Sequence, residues 1–107
     1  MHVQIVNFQL TGIDDAGFRQ MCDTLAPIFG SMPGLTAKYW LADPASNTYG
    51  GVYLWESPAA MAAYVNGDVW AMVKANPNLT NITSKDFDII EGPTRISHGL
   101  IAVAVAA

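Results

Sequence analysis

The 107-residue chain has little of several features that mark particular classes of protein. Its one cysteine, Cys22, excludes an intrachain disulfide and a cysteine-based metal motif. Its five basic residues are scattered, whereas nucleic-acid binding needs a basic stripe. The amino terminus lacks the basic and apolar segments of a signal peptide. We therefore expect a cytoplasmic protein that binds neither nucleic acid nor metal.

Charged residues are also scarce. They make up 13% of the chain, whereas 51% is hydrophobic and the mean hydropathy is positive. A body this small cannot easily cover its apolar surface with so few charges, and a buried subunit interface would solve the problem. We therefore expect a homodimer. The apolar run from Leu100 to Ala107 is too short to cross a bilayer as a helix, so no membrane association is expected.

The predicted elements follow the order βαββαβ. Strands are predicted over residues 3–10, 35–42, 49–56 and 79–90, with one helix after Asp14 and another at Ser57-Pro58. Pro27 is predicted to kink or end the first helix, and Asp68 to cap a further helical piece. This order predicts an α+β ferredoxin-like sandwich over residues 1–92, with an antiparallel four-stranded sheet and the helices on one face. Residues 93–107 are interpreted as a tail that packs on the partner subunit.

Gly50 and Gly51 form the most informative segment, because they interrupt a strand just downstream of Lys38 and Trp40. Paired glycines within a strand indicate a bulge or a close approach to the backbone. The aromatic residues around them are typical of a pocket for a flat organic molecule, although an aromatic core would use the same residue types.

Several segments carry a resemblance to a known family: Pro33-Gly34, Lys38-x-Trp40, Gly50-Gly51-x-Tyr53-Leu54, Lys85-x-Phe87-Asp88 and the alanine-rich helix ending at Tyr64. Over about residues 3 to 90 the chain resembles the YdhR-like monooxygenase family of the dimeric α/β-barrel superfamily. The resemblance implies a dimer whose sheets form a barrel, with a pocket between sheet and helices in each subunit. It also implies oxidation of a small aromatic or polyketide-like compound by O2 without a cofactor.

Chemistry of that kind removes a proton from an electron-rich substrate, so it needs a base and a group that stabilises the anion. Asn7 is a candidate donor of a hydrogen bond to an enolate oxygen, and the Tyr53 phenol is a candidate stabiliser of an oxyanion. His98 is a candidate base near neutral pH. His2, next to the terminus, is interpreted as incidental.

Five residues are predicted to bind the substrate: Lys38, Trp40, Trp55, Tyr64 and Trp70. Lys38 would place its ammonium against the anion, and Trp40 would supply an indole N–H. The structural alternative is a lysine that covers a core tryptophan with its aliphatic stem. Aromatic residues at helical spacing are also typical of a core.

Other functions remain open. A non-oxidative isomerase or cyclase would use the same anion stabilisers without oxygen, and a non-catalytic dimer would only bind a small ligand. Asn7 and Trp70 also resemble residues of haem-degrading relatives, but residues 72–77 hold no histidine that could ligate haem. The chain contains no P-loop, dinucleotide-binding or metalloprotease motif, so no cofactor is expected.

Overall fold

The computed structural model describes residues 1–100, which form four strands and four α-helices. In chain order these are β1 (His2–Leu10), α1 (Asp15–Gly30), β2 (Leu35–Asp43), β3 (Thr48–Trp55), α2 (Pro58–Val65), α3 (Asp68–Ala75), β4 (Leu79–Asp88) and α4 (Glu91–Ile96). A short 3₁₀ turn, Pro44–Ser46, joins β2 to β3. Residues 101–107 of the predicted tail lie outside the described residues. None of the helices within residues 1–100 has the length and apolar character needed to span a membrane.

The four strands form one sheet in the order β2-β3-β1-β4, and every neighbouring pair is antiparallel. This is the sheet of the ferredoxin-like α+β fold, so the predicted fold class is confirmed. β1 lies between β3 and β4, and His2 is therefore opposite both Trp55 and Asp88. The predicted hairpin of β2 and β3 is also present.

One face of the sheet packs against α1, α2 and α3 and holds the core. On β1 the buried residues alternate with partly exposed ones, so His2, Gln4, Val6 and Phe8 point toward the helices. The register places Lys38, Trp40, Tyr53 and Trp55 on the same face. The helices contribute Phe18, Phe29, Tyr64 and Trp70 to this core. The site described below lies between these two layers.

The opposite face of the sheet is less covered. Its apolar side chains are Val3, Ile5, Tyr39, Leu41, Val52, Leu54 and Phe87, none of which is fully buried. Tyr39 is 65% exposed and Phe87 is 54% exposed. We call this the open face, and it is rich in apolar side chains that are only partly covered.

The helix starts follow the predicted capping chemistry. The Asp14 carboxylate accepts a hydrogen bond from the Gly17 N–H at 2.8 Å, and the Ser57 hydroxyl accepts one from the Ala60 N–H at 3.1 Å. The first helix does not end at Pro27, because α1 continues through it to Gly30. Proline removes only one backbone donor near the end of the helix, and the buried Phe29 ring holds the last turn on the sheet.

Two further boundaries differ from prediction. Gly67 rather than Asp68 occupies the N-cap of α3, and Asp68 is its first residue. β4 ends at Asp88, two residues before the predicted end of that strand, and the helix Glu91–Ile96 was not predicted; its residues from 93 onward had been assigned to the tail. This short helix is stabilised by an ion pair between Arg95 and Glu91 at 2.7 Å, one helical turn apart.

Candidate functional site

Two close contacts explain the glycine pair. A Cβ atom at Gly50 would lie 1.8 Å from the Val6 carbonyl oxygen, so no other residue fits without moving the backbone. A Cβ atom at Gly51 would lie 3.2 Å from Cε of Lys38 and 3.3 Å from Cε1 of Tyr53. Gly50 therefore permits close strand pairing, and Gly51 leaves room for the Lys38 side chain.

The Lys38 amine lies in a cage of aromatic rings, which we call the Lys38 site. Its Nζ is 3.3 Å from the ring centroid of Phe29, 3.4 Å from that of Trp40 and 4.6 Å from that of Tyr53. The Phe29 and Trp40 rings are perpendicular to each other, with centroids 5.5 Å apart. Ring faces attract a cation, but they do not neutralise its charge. The ion pairs found in residues 1–100 do not include Lys38.

This environment changes the protonation of Lys38. Burial lowers its pKa from 10.5 to about 7, because the ammonium loses water without gaining a carboxylate partner; the nearby Cys22 thiol opposes this shift. Near neutral pH the amine and the ammonium forms are therefore both populated. A lysine in this state can accept a proton from a substrate and then hold the positive charge beside the resulting anion.

Two tyrosine hydroxyl groups lie in the same layer. The Tyr53 and Tyr64 rings have centroids 5.5 Å apart. Burial raises the pKa of both phenols, and the Tyr64 hydroxyl further raises that of Tyr53, so both stay protonated as hydrogen-bond donors. Tyr64 is 5% exposed, and its hydroxyl makes no hydrogen bond of good geometry among residues 1–100, although the Tyr53 hydroxyl lies near enough to shift its pKa. An unpaired buried hydroxyl costs about 1–3 kcal/mol, so a ligand or water oxygen beside it would be stabilising.

Three cavities adjoin the cage between α1 and the sheet. A cavity of about 440 Å³ is lined by Phe18, Arg19, Cys22, Asp23, Ala26, Trp40, Leu41 and Ala42. A second, of about 220 Å³, is lined by Ala26, Phe29, Gly30, Leu35, Thr36, Ala37, Lys38 and Trp40. A small interior void of about 40 Å³ reaches both Lys38 and Tyr53. Trp40 borders all three, so it is positioned to contact any ligand that approaches Lys38 from this side.

Two of the predicted binding residues support the site from behind. Trp55 is fully buried, and its indole N–H donates to the Gln4 side-chain oxygen at 3.1 Å. Its ring is parallel to that of Tyr53, with centroids 6.0 Å apart. Trp70 is 7% exposed and packs against Tyr64 at 5.8 Å. Both tryptophans therefore fix the tyrosine rings of the site.

The three predicted catalytic residues are not brought together. Tyr53 lies at the Lys38 site, but Asn7 belongs to the open face, where its side chain donates to the Tyr49 carbonyl oxygen at 3.4 Å. His98 is exposed beyond the end of α4 and lines none of the three cavities described above. Strand parity alone separates Asn7 from Tyr53, since the register pairs Gln4 with Tyr53 on the helix-covered face.

A second ionisable group was missed by the sequence interpretation. His2 is 7% exposed, and its ring nitrogens lie 2.6 Å from an Asp86 oxygen and 2.8 Å from an Asp88 oxygen. These hydrogen bonds, chiefly the one with Asp86, raise the pKa of His2. The sequence signal was the placement of both aspartates on one face of β4. Within residues 1–100 no cluster of three such side chains is arranged to hold a metal ion.

Comparisons with known proteins agree with this architecture. Residues 3–100 match the family model described as "Putative mono-oxygenase ydhR". The curated proteins contain no match. Among solved structures, NE2512 of Nitrosomonas europaea, a protein of unknown function, has a TM-score of 0.71 and 19% identity over 85% of this chain and 90% of its own.

Two further structures have the same fold. SnoaB, a cofactor-independent oxygenase from Streptomyces nogalater, has a TM-score of 0.64 and 18% identity over 84% of this chain and 94% of its own. The haem-degrader MhuD from Mycobacterium tuberculosis, with two haems bound, has a TM-score of 0.68 and 22% identity over 84% of this chain and 96% of its own. At these identities the similarity shows the fold alone.

The likeness to MhuD makes haem a group worth testing against the residues present. Both histidines are poorly placed as axial ligands, because both nitrogens of His2 are bonded to carboxylates and His98 is exposed away from the cavities. The Cys22 thiol borders the cavity of about 440 Å³, but burial raises its pKa and so disfavours the thiolate that would ligate iron. The described residues therefore do not fit haem.

Proposed function

We propose a function from one premise: the chain belongs to the ydhR family of putative mono-oxygenases. The Lys38 site oxidises a small enolisable aromatic compound with O2, and the protein supplies a base and hydrogen-bond donors rather than a cofactor. The observation that carries this proposal is the Lys38 amine, which is buried among three rings without a carboxylate partner. That arrangement favours a group that can exchange a proton near neutral pH.

The first step of the proposed reaction is proton transfer. The neutral Lys38 amine removes a proton from an activated ring carbon of the substrate, and the electron pair delocalises onto the neighbouring enolate oxygen. The new ammonium lies over the faces of Phe29 and Trp40, which stabilise it by about 0.5–2 kcal/mol through cation–π attraction. The same charge then stabilises the substrate anion.

The two phenols complete the anion site in this proposal. The Tyr53 and Tyr64 hydroxyls are protonated, and a substrate oxygen that reaches them would receive hydrogen bonds in a region with little water. The Tyr64 hydroxyl, which makes no hydrogen bond of good geometry in residues 1–100, gains one in this complex. The aromatic walls also fit a flat substrate, because ring pairs favour offset or edge-to-face contacts.

Oxygen then reacts with the carbanion. One electron passes to O2, and the substrate radical and superoxide combine to form a C–O bond. The peroxide anion takes the proton back from the Lys38 ammonium, and the resulting hydroperoxide loses water to give a carbonyl group. Overall, one CH2 group and one O2 become one C=O group and one H2O. The substrate supplies all the electrons, so no external reductant is needed.

Oxygen consumption tests the proposal directly. With a single-ring activated phenol as the substrate, the wild-type protein should accelerate O2 uptake over the uncatalysed rate, and Lys38→Met should lose the acceleration. Lys74→Met is the matched control, because Lys74 is exposed on α3 with its Nζ 6.0 Å from the Trp70 centroid. Turnover without O2 would instead indicate an isomerase or cyclase. Binding without any turnover would indicate a ligand-binding protein, and either result would overturn the proposal.

We further propose that the protein is a cytoplasmic homodimer whose two open faces pack together. The support is the row of partly exposed apolar residues on that face, of which Tyr39 is 65% exposed. Light scattering should give twice the 11.5 kDa mass of one chain. Val52→Glu, which places a charge at the centre of the open face, should give a folded monomer. A wild-type monomer at micromolar concentration would contradict this geometry.

A further inference from the structure

We propose that Lys38 also binds small aromatic aldehydes covalently, as an imine formed on its Nζ. This inference goes beyond oxygenation, since it assigns a carbonyl-binding site to the same amine and needs neither oxygen nor turnover. It rests on the position of the amine, its lack of an ion pair and the shape of the adjoining cavity.

The nucleophile is the first requirement. An ordinary lysine is an ammonium ion at neutral pH and has no lone pair with which to attack a carbonyl carbon, whereas a desolvated lysine in an apolar pocket does. Nζ of Lys38 is surrounded by Phe29, Trp40 and Tyr53. None of the ion pairs found within residues 1–100 includes this amine. Its lowered pKa, about 7, supports a substantial fraction of free amine.

The cavity is the second requirement, and it limits the size of the aldehyde. Lys38, Phe29 and Trp40 together border the cavity of about 220 Å³. Sites for drug-sized ligands usually measure about 300–1,000 Å³, so this one suits a single aromatic ring. A benzaldehyde ring could lie against the Trp40 indole while its carbonyl carbon meets Nζ. A hydrophilic aldehyde would not make this contact with the Trp40 indole.

The chemistry conserves atoms and electrons without a further reactant. The Nζ lone pair attacks the carbonyl carbon, and proton transfer gives a carbinolamine. Loss of its hydroxyl group as water forms the C=N bond, so one amine and one aldehyde become one imine and one H2O. The step is reversible, and cyanoborohydride, added as the reductant in the assay, converts the imine to a stable secondary amine.

Reductive trapping followed by peptide mapping tests the assignment. The intact protein is incubated with benzaldehyde and cyanoborohydride at pH 7, and modification is measured at Lys38, Lys74, Lys85 and the terminal amine. A lysine with a pKa near 7 has about a thousandfold more free amine at this pH than one with a pKa near 10.5. Part of that advantage is lost because a less basic amine is a weaker nucleophile. We expect Lys38 to react at least about tenfold faster than Lys74 or Lys85. Glyoxylate, a small anionic aldehyde that cannot stack on the Trp40 ring, should show a smaller preference for Lys38 than benzaldehyde does.

Two variants and one further measurement make the result decisive. Lys38→Arg should lose the selective adduct, with its fold verified by circular dichroism, and Phe29→Leu should reduce the preference for Lys38 because the cage opens. The trapping rate at Lys38 should level off above about pH 8, because nearly all of that amine is then free. Equal modification of the three lysines, or none at Lys38, would overturn the inference. Selective trapping without O2 uptake would refute the oxygenase proposal alone.

Discussion

His2 and Lys38 are both basic side chains on the helix-covered face of the sheet, but their neighbours differ. His2 lies between the carboxylates of Asp86 and Asp88, which raise its pKa, whereas Lys38 lies among three aromatic rings in a setting that lowers its pKa. The first arrangement holds a positive charge in place. The second leaves the charge easy to lose, which acid–base chemistry requires.

The difference follows from what replaces water around each cation. A hydrogen bond to a charged group contributes about 1.5–3 kcal/mol, and His2 makes two. Cation–π contacts contribute about 0.5–2 kcal/mol and do not replace the lost hydration of an ammonium ion. We therefore interpret His2 as a structural residue that joins β1 to β4, and Lys38 as the reactive residue.

The largest effect is expected for Lys38→Met. Loss of the base should lower kcat for O2 consumption by about a hundredfold or more, the range of general base catalysis. The same variant should unfold at a higher urea concentration at pH 7, because a buried cation without a partner has been removed. Steady-state rates and urea unfolding measure the two changes. Lower activity together with lower stability would identify Lys38 as a structural residue and end the contrast with His2.

Loss of one phenol is expected to have a smaller effect on activity. Tyr53→Phe and Tyr64→Phe should each lower kcat by about tenfold to a hundredfold, since each removes one donor to the enolate oxygen. Tyr64→Phe should not reduce stability, because the Tyr64 hydroxyl makes no hydrogen bond of good geometry within residues 1–100. Trp55→Phe, which changes a ring behind the site, is the comparison for packing damage. Unchanged kcat in both tyrosine variants would exclude them from the reaction.

The fold and part of the site could be predicted from the sequence because their signals are local. Capping residues, turn residues and period-two alternation specified the βαββαβ order, and the glycine pair indicated a close approach at β3. Tyr53 and Lys38 were both candidate site residues, and they are paired on adjacent strands of a hairpin. The cage also needs Phe29 of α1, and no sequence pattern stated which helix residue would meet Lys38.

Asn7 and His2 show what local signals cannot supply. The face to which Asn7 belongs depends on the register between β1 and β3, and a shift of one residue would reverse it. The contacts of His2 depend on β4, more than eighty residues away in sequence. Pairing between distant strands therefore determined which of these polar residues reached the helix-covered face.

A modest stability effect is expected for His2→Gln. The variant loses the charge-assisted bonds to Asp86 and Asp88, but Asp88 is 85% exposed and solvent weakens that interaction. We expect the free energy of unfolding to fall by about 1–2 kcal/mol at pH 6, with kcat for O2 consumption unchanged. Chemical denaturation and oxygen uptake test both parts. A large loss of kcat in a folded His2→Gln protein would give His2 a role in the reaction.

The pH dependence of stability should have opposite signs for the two cations. The raised pKa of His2 gives a contribution that is complete below pH 6.5 and is lost as the pH rises through the pKa of the folded protein. Lys38 has a folded pKa of about 7 and an ordinary value of 10.5, so the unfolded chain binds more protons between these values. Its contribution makes stability rise with pH there, by at most about 1.4 kcal/mol per pH unit. The free energy of unfolding of the wild type and of Lys38→Met is measured with urea at several pH values from 6 to 10. The difference between the two free energies, plotted against pH, isolates this slope. If the two free energies changed with pH in parallel, Lys38 would keep its proton in the folded protein. Lys38 and His2 would then differ in their neighbouring residues but not in how easily they lose a proton.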